Sequence, residues 1–192
     1  MFTPSLALIA QEAAKTESLG GSFVALALGA LQLVVSLAIF TFSINQGLNV
    51  VSRMIDGIDI WGEIKRKNVA VALLAAGAVI AYTNVVAGGV DSMTDGLTTL
   101  VKGELSDGIS ALIGGVINLF VAIMVAGLAV TWTFKAMDKF TKDIDEKAEF
   151  RTGNVAIGIL YAGILVGASE LIASGVSGVS SGITGLVSAL LG

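Results

Sequence analysis

Glu170 is the one formal charge well inside a long apolar run of this chain, and Asn84 holds the matching place in an earlier run. A carboxylate inside a bilayer is costly, so it faces a cavity, a partner or the headgroups. Three readings stay open for Glu170: a side chain reaching toward headgroups, a cation-attracting or protonatable group, and a structural hydrogen bond. Gln32, Asn118 and Asp91 complete the candidate polar groups of a passage, with Gln32 and Asn118 expected well inside the spans. The chain has no Cys and no His. That removes thiolate and imidazole metal sites, Cys or His nucleophiles and histidine proton relays. An intramembrane aspartyl protease needs two facing Asp residues within spans, and none stand there. The serines between 169 and 181 have no base in the sequence pattern. The expectation is a protein that is not an enzyme and holds no metal and no cofactor.

The elements that must position these groups are membrane helices. The chain has 192 residues, 55% hydrophobic and only 14% charged, with a mean hydropathy of +0.89. A soluble domain carries about 25% charged residues. Four nearly uncharged runs stand out, roughly 22–44, 69–90, 108–133 and 155–176. About 20 helical residues cross a hydrocarbon core of about 30 Å. A barrel would need alternating segments of about ten residues, and these runs are continuous. The fold class expected is all-α, a polytopic protein of four spans forming two tandem parallel helical hairpins, with amphipathic terminal segments. A net charge of −4 argues against nucleic acid as a partner and leaves the lipid bilayer as the first one.

The second and fourth runs say the same thing. Residues 68–90 read NVAVALLAAGAVIAYTNVVAGGV and residues 154–176 read NVAIGILYAGILVGASELIASGV. At an offset of 86, Asn68 falls on Asn154, Gly77 on Gly163, Asn84 on Glu170 and Gly89 on Gly175. The first and third runs repeat more weakly at an offset of 82, with Arg53 on Lys135 and Leu37 on Leu119. The division expected is a segment 1–18, a first repeat 19–104 and a second repeat 105–192. In the first segment Thr3-Pro4 reads as a helix start, and Gly20-Gly21 as the end of a short amphipathic helix. No basic region precedes the short apolar run Leu6–Ala10, so this segment reads as mature chain rather than a signal peptide. At the other end DGLTTLV at 95–101 aligns with SGITGLV at 181–187, so the Gly- and Ser-rich stretch from Ser174 is expected to be an ordered outer segment.

Nine of the eleven Lys and Arg residues fall in two segments, 45–67 and 134–153. By the positive-inside rule these face the cytoplasm, with both termini and the central loop outside. Asp91, Asp95, Glu104 and Asp107 crowd that central loop. The first basic loop, with Ile55, Ile58, Ile60, Trp61 and Ile64, is expected to lie flat on the inner leaflet, with Trp132 and Phe134 at the same level. Gly163 and Gly167 form a GxxxG, matched by Gly77 and Ala81 in the first copy. Small residues let helices approach closely in lipid. Packing alone accounts for them, and the alternative is a narrow passage or sliding. Asn68 and Asn154 each open a span after a basic loop, where Asn caps the free N–H groups of the first turn.

The two runs Lys67-Asn68-Val69-Ala70 with Gly77, and Gly153-Asn154-Val155-Ala156 with Gly163, resemble the four-span, two-copy members of the domain of unknown function 350 family. The resemblance covers roughly residues 20–176. Members carry acidic residues before the Asn, and Asp59, Glu63 and Glu149 offer these here. It implies this architecture and a bacterial inner-membrane location, and it implies no activity. Two functions remain from the residues: a self-assembling homo-oligomer with an ion or small-solute passage, or a structural scaffold or accessory subunit without transport.

Overall fold

The structure is a computed structural model that describes residues 6–55, 57–101 and 105–191. Among the described residues there are six helices and no strand: α1 (Leu6–Met54), α2 (Ile60–Lys65), α3 (Val69–Val101), α4 (Leu105–Phe140), α5 (Glu146–Thr152) and α6 (Val155–Leu191). Four of them are long and apolar enough to cross a membrane, over Gly21–Met54, Val69–Thr99, Gly108–Phe140 and Val155–Val187. The chain is an integral membrane protein. Lipid offers the backbone no partner, so each long run closes its own hydrogen bonds as helix.

The helices outrun the apolar runs that predict them. Gly20-Gly21 ends nothing, because α1 continues through both. Glycine weakens a helix by about 1 kcal/mol, which the flanking helix-forming residues outweigh. Asp91 and Asp95 sit on α3 rather than in a loop, and Asp107 on α4. Helix α6 runs on through Ser174 to Leu191. Thr3-Pro4, Lys102 and Glu104 lie outside the described residues.

The chain divides into two compact units, one ending at Leu37 and the other beginning at Ala38. The first is helical. In the second, α3 is central and touches α4 and α6, which also touch each other. The α3–α4 pair is antiparallel: a Cβ on Gly89 would stand 2.7 Å from the Leu119 Cα, and one on Gly96 would stand 2.6 Å from the Leu112 Cα. The α3–α6 pair is parallel, with Gly77 against Ala162 and Gly88 against Ser177. Residues that the repeat makes equivalent therefore lie side by side at nearly one height.

The basic end of the bundle is built twice from one local pattern. Asn68 accepts from the Val71 N–H at 3.2 Å and donates to Glu63 Oε2 at 2.9 Å; Asn154 accepts from the Ala156 N–H at 3.1 Å and donates to Glu149 Oε2 at 2.6 Å. In both copies the Asn N–H also meets the Glu carbonyl at 3.0 Å. The residue before each Asn is left-handed, with φ 64° at Lys67 and φ 79° at Gly153. A side chain there costs about 1 kcal/mol that glycine avoids. Lys67→Gly should stabilise the protein by about 0.5–1 kcal/mol, read as a higher melting temperature in detergent.

The first basic loop does not lie flat. Ile55, Ile58 and Ile60 are buried in the main core cluster, Ile64 packs on it, and only Trp61 stays exposed. Withdrawing three Ile side chains from water outweighs spreading them along an interface. Phe134 likewise turns inward, its ring 4.8 Å from Tyr161, which meets Phe150 edge to face at 5.4 Å. Trp132, two residues away, faces out.

Candidate functional site

Between α3 and α6 runs a ladder of polar side chains. Asn84 Nδ2 donates to Ser169 Oγ at 3.1 Å and lies 3.5 Å from Glu170 Oε1. Two turns on, Ser92 Oγ donates to the Gly88 carbonyl at 3.0 Å and lies 2.6 Å from Ser180 Oγ. Asn118, brought in by α4, is fully buried; its Nδ2 reaches Ser92 Oγ at 3.1 Å and the Gly88 carbonyl at 3.4 Å. Its Oδ1 has no partner. Beside this rung opens a cleft of about 400 Å³ lined by Asp91, Asp95, Ser177, Ser180 and Ser181.

Three of the candidate polar residues thus belong to one seam, with Asp91 at its open end. Gln32 stands on α1 within the first unit. Ser92 is the seam residue that sequence reasoning passed over, while Ser169 and Ser180 were weighed there only as nucleophiles. Their signal was there: Ser92 and Ser180, and Asn84 and Ser169, are separated by nearly the repeat offset, so parallel equivalent helices had to place them together. The seam ties helices together and bears no nucleophile–base pair. Among the described residues no group of three or more Asp or Glu side chains could hold a metal.

The packing candidates divide. Gly77 and Ala81 are buried in the α3–α6 contact, where a Cβ on Gly77 would stand 2.6 Å from the Ala162 Cα. A Cβ on Gly163 or Gly167, their counterparts, would meet nothing within 4 Å. The reason is rotational. On α6 the packed residues Gly158, Ala162, Leu165, Ser169, Val176 and Ser180 share one face. At about 100° per residue, Gly163, Gly167, Glu170, Ser174, Gly178 and Ser181 fall within about 80° of one another on the opposite face. All six are exposed. So α3 has its small-residue stripe covered and α6 has the equivalent stripe open, with Glu170 at the edge of it that borders α3, 3.5 Å from Asn84 Nδ2.

A further open face lies on α3. Ala76, Ile80 and Ala87 are exposed, and the Thr83 hydroxyl behind them is buried without a partner. At the offset of 86 these are the counterparts of Ala162, Val166, Ala173 and Ser169, of which Ala162 meets Gly77 and Ser169 meets Asn84 on α3.

The family model described as Domain of Unknown Function (DUF350) matches the chain twice, over residues 16–113 and 110–192. No curated protein and no solved structure matches it.

Proposed function

The chain belongs to the DUF350 family, matched over two tandem regions, and from that premise we propose that it is a self-assembling integral membrane protein whose copies join α6 to α3. The observation that carries the reading is Glu170 on an exposed small-residue stripe within a span. A carboxylate inside a bilayer is costly, the long contact from Asn84 meets only one of its oxygens, and a covering helix shields its exposed side. Small residues are what close helix contact in lipid uses. The covering face is the one that the repeat nominates: within one copy the back of α6 covers the α3 stripe, so the equivalent back of α3 in a second copy covers the α6 stripe. Glu170, counterpart of Asn84, then lies against the exposed Ala76, Ile80 and Ala87 face of the neighbouring α3. The contact is head-to-tail and generates rings or rows. The basic ends of all copies lie on one side, which the positive-inside rule assigns to the cytoplasm of an inner membrane, with both termini outside.

The absence of Cys allows a clean test. Ala87→Cys and Glu170→Cys, made as separate variants and co-expressed in one membrane, should cross-link to each other and not to themselves. Gly163→Leu should abolish the cross-link and lower the oligomer mass while keeping the helix content of the single copy, because a side chain there enters open space. Unchanged mass in Gly163→Leu would remove α6 as the contact.

The same carboxylate favours a second reading, a cation passage along the row of Glu170 side chains in a closed ring. Glu170→Gln in planar bilayers separates the two. Assembly kept with lost cation selectivity supports the passage, and no conductance in wild type leaves the scaffold.

A further inference from the structure

A second cleft, of about 670 Å³, opens between the end of α1, α3 and α4, away from the polar seam. Its wall is apolar over most of its length, with Tyr82, Ile123, Met124, Leu128 and Phe134. The one phenol in the wall is already committed, since Tyr82 donates to the Ile123 carbonyl at 3.1 Å. The mouth is different in kind. Arg53 from α1 and Lys135 from α4 both border it, with Asp138, while Gln46, two turns before Arg53, lies deeper in the cleft. Arg53 and Lys135 are the two residues that the weaker repeat aligns, so the fold brings equivalent cations from the two copies to one opening. With Asp138 counted, the mouth keeps one surplus positive charge.

The length of the cleft fits one leaflet. Met124 to Lys135 is eleven residues of α4, or about 16 Å of helix. Half of a hydrocarbon core of about 30 Å is about 15 Å. The cations therefore stand at headgroup level on the basic side, and the apolar wall reaches to about mid-membrane. Arg forks onto phosphate oxygens and Lys adds a point charge, while Met side chains adapt to an irregular apolar chain.

We propose that this cleft binds one anionic phospholipid, its phosphate between Arg53 and Lys135 and an acyl chain along Met124 and Leu128. The charge balances: a singly charged phosphodiester meets one surplus cation. The lipid fills a gap between α1 and α4 that the protein's own side chains leave open. This does not rest on self-assembly.

The test is native mass spectrometry of the delipidated full chain in detergent, offered phosphatidylglycerol and phosphatidylcholine with identical acyl chains. Wild type should retain one phosphatidylglycerol per chain, with about a tenfold preference over phosphatidylcholine. Arg53→Gln with Lys135→Gln should bring phosphatidylglycerol down to the phosphatidylcholine level. Gly127→Leu tests the apolar part: it lines the cleft and a Cβ there meets nothing within 4 Å, so Leu fills the cleft without moving a helix. It should cut retention of both lipids at unchanged melting temperature. Equal retention of the two lipids by wild type would overturn the proposal. So would wild-type retention in Gly127→Leu, or displacement of the lipid by glycerol phosphate alone.

Discussion

Gly77→Leu should destabilise the protein by more than about 3 kcal/mol, the upper end of what overpacking costs. A Cβ at position 77 would lie 2.6 Å from the Cα, 2.8 Å from the Cβ and 3.2 Å from the carbonyl oxygen of Ala162. Two of these three atoms are backbone, so no rotamer change relieves the clash. The two helices must part, and the seam parts with them: Asn84 loses Ser169, and Ser92 loses Ser180. Each buried polar group left alone adds about 1–3 kcal/mol. Thermal melting in detergent reads the effect. The control is Gly163→Leu, the same change at the repeat-equivalent residue, which should lose only what assembly contributes and melt well above Gly77→Leu. Equal melting of the two variants would show that α3 and α6 do not meet in this register.

Asn68→Ala should cost about 3 kcal/mol, and Asn154→Ala about 1 kcal/mol less. Both remove a helix cap and a bond to a glutamate. Only Asn68 also crosses between the repeats, where its Nδ2 donates to the Phe150 carbonyl at 2.8 Å. That bond fixes the start of α3 against the end of α5, next to the Phe150–Tyr161–Phe134 cluster. Two residues with one sequence context thus have different worth. Denaturant unfolding of the two variants side by side checks the difference, and identical losses would remove the cross-repeat bond from the account.

Much of the helical frame was legible because its cause is local. A run of about 20 apolar residues has to close its own hydrogen bonds in lipid, whatever surrounds it. The caps were legible for the same reason, since Asn68 and Asn154 each act on the turn that follows them. Where the reading failed, the missing term was tertiary. Ile55, Ile58 and Ile60 look like an interfacial loop until a core exists to receive them. Phe134 and Trp132 look alike in sequence, and only the position of Tyr161 separates them.

The amino-acid sequence by itself determined that this protein spans a membrane in four helices and that two of them carry the same pattern. Tertiary structure alone decided what that pattern does in each copy. Gly77 and Gly163 share a sequence and not a neighbour: one is closed against Ala162 and the other is bare. Helical periodicity is a property of one segment and is written in it. Which face of a helix is covered depends on how two backbones approach and rotate about each other. That is set by the pairwise fit of small residues on both helices at once, which neither repeat specifies alone.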